Sequence, residues 1–488
     1  MSMFSDVFSK LDGVVRLRHL GIGFVWAWIY CSFSTSAVYS NRAGVSINSD
    51  PAWLTSAISV SVLLFAFGAL LAKFDLAKIR GVFLLAGIAM SLGTFASALV
   101  GSNVEASFAC GALTGAGSAL LILFWGDLYA RIDAEQAEIA VPASSAVMLV
   151  CVFVFPYIEG IVGVIGVSSL PLLSAVCLYA SYEGIHGSSS SLEVGLRTGS
   201  EKRSNSCVKR FSPVIARLLL LVFSAYFVIG LVSALGQERD LFQIVYGFDA
   251  ASFIGSISGL LLALWFIFFS PRIDVASLFR WLTPFMVVGV AMMAWNSMIS
   301  EFVTVAMSAV ADTVLQVVVL LYFVGLAKRG VMAPSLSVGM SQGAVQLGVL
   351  VGNICGLGVA HAGFEMWSVA IVLMCILSVS MAFAPSVNVR EVLIPDSNDA
   401  DAIFDELSDD DEECRRRSTI KRLSSECSLS SRESEILDYL SKGRSQPYIR
   451  EALVLSKNTV ATHVKHIYQK LGVHSRQELL DLFEDKND

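Results

Sequence analysis

Apolar runs of about twenty residues follow one another along this chain from residue 20 to residue 385. Each is long enough to cross a ~30 Å hydrocarbon core as a helix, and so many together dictate a polytopic helical bundle. The approximate limits are 20–40, 53–73, 80–101, 106–129, 138–158, 160–183, 213–235, 249–270, 281–300, 302–327, 335–360 and 365–385, twelve spans in all. Composition agrees: 55% of residues are hydrophobic, only 15% are charged, and the mean hydropathy is +0.68. A soluble domain carries about 25% charged residues. The first run continues past signal-peptide length with no clear cleavage site, and further spans follow it, so it reads as a span.

The longest break lies between the sixth and seventh runs, from Tyr182 to Pro213, and is rich in Ser and Gly. It divides the spans six and six. Lys and Arg stay on the cytoplasmic side of a membrane, so their distribution gives direction. With the first span leaving the cytoplasm, the inner segments hold Lys10, Arg16, Arg18, Lys73, Lys78, Arg80, Arg131, Arg197, Lys202, Arg203, Lys209, Arg210, Arg217, Arg272, Arg280, Lys328 and Arg329. The outer loops hold Arg42 and Arg239. Seventeen against two puts everything after the last span in the cytoplasm.

Ionisable groups at membrane depth are costly and draw attention for that reason. Asp312 falls near the middle of the tenth span with Gln316 one turn on, and Asp127 falls deep in the fourth span. The two acids occupy corresponding spans of the two halves. They read either as a proton- or ligand-linked pair lining a cavity or, for Asp127, as an interfacial acid paired with Arg131 at i+4. Gln342 and Gln346, in the eleventh span, either line the same cavity or bond across helices. The small-residue stretches Gly111–Gly117 and Gly348–Gly358 have the spacing of close helix contacts. Nothing in the sequence assembles a nucleophile–base pair, a metal cluster or a cofactor loop. The nine cysteines contain no C-x-x-C, and the histidines 19, 186, 361, 463, 466 and 474 form no site. No enzyme, no cofactor and no metal is expected.

Beyond residue 386 the composition changes. Asp396 through Glu413 form an acidic tract, followed by Arg415, Arg416, Arg417, Lys421 and Arg422, and residues 386–428 read as a disordered tether. Then come four short helical patterns. Ser430 with Glu433 makes a capping box for a helix ending near Ser441, and Gly443 follows as its cap. Ser445 and Pro447 open a second helix bearing Ile449, Leu453 and Val454. Ser456 caps the third, Lys457 to Leu471, where Val460, Val464, Ile467 and Leu471 give a buried stripe. Its other face shows Asn458, Ala461, Thr462, Lys465, His466, Gln469 and Lys470. Gly472 ends it, and Ser475 with Glu478 caps a fourth helix through about Phe483. The third helix has the length and polar face needed to lie in a major groove. From Leu429 to Phe483 eight Lys and Arg face six acids, a net charge of +2, which forecasts weak binding by a monomer.

The order Leu429-Ser-Ser-Arg432-Glu433, Glu435-Ile436-Leu437, Gly443, Ile449, Leu453, Ser456, Thr459-Val460, His463, Ile467, Lys470-Leu471, Val473, Ser475-Arg476 resembles the LuxR-type (NarL-like) DNA-binding domain. The resemblance implies base reading by Ala461, Thr462 and Lys465, with His466 on the same face. It implies phosphate contacts near Lys457, Asn458, Thr459 and Lys470, and a homodimer through Leu479, Leu480 and Phe483. Ala461 stands where the family commonly has Lys, and Arg450 where it commonly has a small residue. The six-plus-six spans resemble the major facilitator superfamily. That family has a Gly-x-Leu-x-Asp-Arg-x-Gly-Arg signature after its second helix. Here Gly68 and Leu70 are present, Ala72 takes the Asp position, Lys73 replaces Arg, and Asp75 stands at the second Gly. The departure implies a transporter's shape without its full charge network.

The expected fold is all-α: a membrane bundle followed by a four-helix helix-turn-helix domain. The expected divisions are 1–19, 20–184, 185–212, 213–385, 386–428 and 429–488. The expected partners are double-stranded DNA, the lipid bilayer and a small-molecule or membrane signal. The setting is a bacterial inner membrane with both termini cytoplasmic. The function that follows is a membrane-bound one-component regulator; the alternative is a secondary transporter with an appended regulatory tail.

Overall fold

In the computed structural model, the residues described are 16–33, 51–79, 81–100, 103–158, 160–186, 213–238, 250–269, 275–295 and 297–381, then 420, 423–424, 427, 429–441, 448–450, 453, 457–473 and 478–479. The chain divides into two compact units, Met1–Pro395 and Asp396–Asp488. Regular structure among the described residues is entirely helical.

Each expected span has a helix. Spans 1 to 4 contain Ile22–Phe33, Pro51–Leu71, Gly81–Leu99 and Val104–Arg131. Span 5 is Ala134–Ala143 continued by Ser145–Val154, and span 6 is Gly160–His186. Spans 7 and 8 are Pro213–Glu238 and Ala250–Phe269, and span 9 is Val275–Met292 with a 3-10 turn to Trp295. Spans 10 to 12 are Met298–Lys328, Pro334–Ala362 and Met366–Met381. Eight of these helices are long and apolar enough to cross a membrane, and the others are shorter apolar helices.

Several helices outrun their apolar stretch. Span 10 has 31 residues, about 46 Å at 1.5 Å per residue, well beyond the hydrocarbon core. Its start is set outside the apolar run by a capping box between Ser297 and Ser300. Span 5 begins four residues earlier than its hydropathy suggests, because Ala134–Glu138 forms a polar first turn. Pro142 then removes an N–H, and the helix breaks at Ser144, whose hydroxyl donates to the Ala140 carbonyl.

The bundle is held by backbone approach and by hydrogen bonds, as expected where apolar burial gives no net drive between helices. Span 4 lies against span 2 through Gly115, where a Cβ would stand 2.6 Å from the Ser56 carbonyl, and against span 3 through Gly117, 2.7 Å from that of Ala86. In the second half Gly348 would meet the Phe223 carbonyl of span 7 at 2.7 Å. The small-residue stretches are therefore helix seams. One seam joins the halves: a Cβ on Gly339 of span 11 would lie 2.5 Å from the Leu64 carbonyl and 2.8 Å from Gly68 Cα, both of span 2. Buried donors add direction: Trp28 Nε1 donates to Thr94 Oγ1 at 2.8 Å and Trp125 Nε1 to Ser174 Oγ at 2.9 Å. Ahead of span 1, the 3-10 turn Leu17–Leu20 is pinned by Tyr129, whose hydroxyl donates to the His19 carbonyl. Burial, and then Arg18 and Arg16, push the His19 imidazole down to about 4, so it is neutral near pH 7.

The second unit has its own core of Ile420, Ile436, Leu437, Leu440, Ile449, Val460, Val464, Ile467, Val473 and Leu479. Its helices Ser431–Ser441 and Lys457–Leu471 keep the expected limits. Gly472 follows at φ +70°, a left-handed cap that an L side chain would strain. Gly443, Ser445, Pro447, Ser456 and Ser475, expected to frame the second and fourth helices, lie outside the described residues.

Candidate nucleic-acid interface and membrane polar sites

The recognition-helix geometry starts with the helix that precedes it. Ser430 Oγ accepts from Glu433 N–H at 3.2 Å, and Ser430 N–H donates to Glu433 Oε2 at 2.7 Å, completing the capping box. The same carboxylate, 4% exposed, accepts from Lys470 Nζ at 2.7 Å and faces His466 Nδ1 at 3.9 Å. Lys470 and the Ser430 amide hold Glu433 down to about 2. One acid thus caps the first helix and clamps it to the last turns of the third. Arg432 adds a second tie through Nη2 to the Leu453 carbonyl at 3.2 Å.

On the third helix Val460, Val464 and Ile467 are buried, and Thr462, Lys465, His466 and Gln469 are exposed on the opposite side. The side chains of Lys457, Asn458 and Ala461 lie outside the described residues, and Thr459 is half-buried. Lys470, expected at phosphate, is the Glu433 partner. Leu479 is fully buried in the domain core, which withdraws it from the expected dimer surface. Leu480 and Phe483 lie outside the described residues.

In the first membrane half Asp127 is 1% exposed and is not a free cavity acid. Arg131 Nε lies 2.6 Å from its Oδ2, and Tyr182 of span 6 donates to the same oxygen at 2.7 Å. Arg131 Nη2 also reaches Asp75 Oδ1 at 2.9 Å, after span 2. The i+4 pair of Asp127 with Arg131 is formed. The altered loop signature does retain a charge network, built on Asp75 rather than on position 72. Tyr182 had no signal in the sequence beyond its place at the end of a span. Lys328, at the end of span 10, donates to the Ile132 carbonyl at 2.7 Å and joins the two halves on this side.

The second half carries a different polar chain. Tyr226 of span 7 donates to Gln316 Oε1 at 3.2 Å and approaches the Asp312 carbonyl at 3.3 Å. Gln316 Nε2 donates to Gln342 Oε1 at 3.0 Å. The Gln342 Nε2 is buried with no hydrogen-bond partner among the described residues. Tyr226, Gln316 and Gln342 thus meet at one place between spans 7, 10 and 11, which Asp312 joins through its main-chain carbonyl, and Asp127 belongs to another. No group of three metal-ligating side chains occurs among the described residues.

These two units define a membrane bundle with the major facilitator fold joined to a helix-turn-helix DNA-binding domain. The model of the family described as bacterial regulatory proteins, luxR family, matches residues 427–483. That C-terminal segment is a LuxR-family DNA-binding domain. It is 47% identical over 53 residues to the Fimbriae Z protein of Salmonella typhimurium strain LT2, and 51% identical over 53 residues to that of Escherichia coli strain K12. Each match covers 11% of this chain and 25% of the relative, so the chain spans a quarter of those proteins' length. The response regulatory protein YgeK of Escherichia coli K12 is 46% identical over 59 residues, 12% of this chain and 40% of that one. The bundle superposes on a bacterial homologue of the iron transporter ferroportin in its outward-facing state. The TM-score is 0.54 at 15% identity, covering 75% of this chain and 96% of that one. It also superposes on the proton:xylose symporter XylE, with TM-score 0.54 at 10% identity, covering 77% and 98%. At these identities the likeness is one of fold alone.

Proposed function

We propose that this chain is a one-component transcription regulator that stays in the bacterial inner membrane, with both termini cytoplasmic. A stimulus acting on the bundle alters the availability or pairing of the tethered domain, and no covalent chemistry is involved. The observation that carries the reading is the presence, on one polypeptide, of a LuxR-family DNA-binding domain and a bundle in which eight helices are long and apolar enough to cross a membrane. The Lys and Arg bias of the loops favours the cytoplasmic side for that domain.

The third helix enters the major groove, where Ala461, Thr462 and Lys465 face base edges and His466 lies beside them. Lys457, Asn458 and Thr459 sit at the helix start, suited to phosphate. Lys470 serves first as the Glu433 clamp. The domain's net charge of +2 supports a homodimer on paired half-sites, for which Leu480 and Phe483 remain after the burial of Leu479. The stimulus site is the polar place at Asp312, Gln316 and Gln342, where the free Gln342 amide N–H can take an acceptor from a small ligand. Residues 386–428 act as the tether and 185–212 as the cytoplasmic middle loop.

The test is a reporter gene under the operator found by mapping where the full chain crosslinks to the genome. Thr462→Ala with Lys465→Ala abolishes regulation if the reading is right; unchanged reporter output overturns it. A second reading, a secondary transporter with an appended tail, draws on the transporter fold and on Asp312. Uptake or efflux that survives deletion of residues 396–488 and is lost in Asp312→Asn would put it first.

A further inference from the structure

Nine cysteines are scattered through the sequence, and the fold brings two of them together. Cys31 of span 1 and Cys151 of span 5 are neighbours where these two spans pack together. Both belong to the core of the first half, at 0% and 6% exposure. The pairing follows from register. At the cytoplasmic ends of the two spans, Gly23 lets the backbones approach: a Cβ there would lie 2.9 Å from Val147 Cβ and press on the Ser144 carbonyl. Both spans run the same way across the membrane. Cys31 lies eight residues beyond Gly23 and Cys151 seven beyond Ser144, so each rises by roughly 11 Å from the close contact and they arrive level. A disulfide requires Cα atoms ~4.4–6.8 Å apart, and a close approach at a glycine favours such a separation between the two spans.

We propose that Cys31 and Cys151 form an oxidisable dithiol whose product is a disulfide tying span 1 to span 5. A peroxide is the co-reactant: small and uncharged, it enters a packed bundle. One thiol attacks a peroxide oxygen, the O–O bond breaks, and a sulfenic acid and water form, the thiol proton leaving with that water. The second thiol attacks the sulfenyl sulfur, the S–S bond forms, and the hydroxyl departs with the second thiol proton as water. Two thiols and one hydrogen peroxide give one disulfide and two waters. The two electrons lost by the sulfurs reduce the peroxide.

The location makes the crosslink consequential. Span 5 packs on span 8 across the boundary between halves, where a Cβ on Gly259 would meet the Ser145 side chain at 2.7 Å. Fixing span 5 to span 1 therefore restrains one wall of that boundary. The disulfide itself depends only on the bundle; its effect on transcription rests on the function proposed above.

The experiment uses the full-length chain in inner-membrane vesicles, treated with hydrogen peroxide or, separately, diamide. Samples are then denatured and labelled with polyethylene-glycol maleimide, which adds one mass step per free thiol. Wild type is expected to fall from nine additions to seven after oxidation and to return to nine with dithiothreitol. C31S and C151S are each expected to hold at eight. Nine additions in oxidised wild type under both reagents overturns the proposal, as does a two-step loss that persists in C31S. In cells, peroxide is expected to shift reporter output in wild type and not in the C31S/C151S double variant. A crosslink with a flat reporter upholds the dithiol and counts against the coupling of bundle to DNA-binding domain.

Discussion

Replacing Glu433 tests how the DNA-binding unit is held together. Its carboxylate accepts from the Ser430 amide at 2.7 Å and from Lys470 Nζ at 2.7 Å, and it is almost fully buried. Glu433→Ala removes half of a capping box, worth about 1 kcal/mol, and a charge-assisted hydrogen bond, worth about 1.5–3 kcal/mol. Shared context makes the two less than additive, so a loss of about 2–3 kcal/mol is expected. In a domain of this size 1 kcal/mol moves the melting temperature by about 4–8 °C, which places the shift at roughly 10 °C or more. The assay is thermal unfolding of residues 396–488 followed by circular dichroism at 222 nm. The pH dependence carries a sign of its own. The folded carboxyl lies at about 2, below its ordinary 4.5. Its contribution is therefore present above pH 4.5 and lost as pH falls toward 2. Wild type should lose stability over that window, and Glu433→Gln should lack that component. A melting temperature within 2 °C of wild type for Glu433→Ala would refute the clamp.

Three further outcomes follow from the geometry. Arg131→Ala strips a buried carboxylate of its counter-charge and should cost the bundle about 3–5 kcal/mol; adding Asp127→Asn should recover a large part, read by thermostability in detergent. Gly339→Val forces spans 2 and 11 apart at the Leu64 carbonyl and should lower the same melting temperature, whereas Gly358→Val, with nothing within 4 Å of its Cβ, should not. Thr462→Ala with Lys465→Ala should weaken binding to the mapped operator by at least about tenfold while leaving the domain's melting temperature unchanged.

The long elements could be read in the sequence because their causes are local. An apolar run declares a span by composition, and the third helix of the second unit declared itself from Lys457 to Leu471 by period and cap. Span ends were less legible where polar turns such as Ala134–Glu138 extend a helix past the lipid. What stayed hidden were contacts between distant positions. Asp75, from the turn after span 2, and Tyr182, from span 6, converge on Arg131 and Asp127, and no spacing announces it. Cys31 and Cys151, 120 residues apart, look unrelated until parallel packing levels them. Leu479 shows the opposite failure. A family pattern offers it to a partner, and burial assigns it to its own core.

The most direct measurement embeds the full-length chain in lipid nanodiscs and asks whether it retards the mapped operator duplex. The account predicts a specific retarded complex, lost in the Thr462→Ala/Lys465→Ala variant and weakened as salt rises. A nanodisc-embedded chain that leaves the duplex unretarded while residues 396–488 alone retard it would contradict the claim that the regulator works from the membrane.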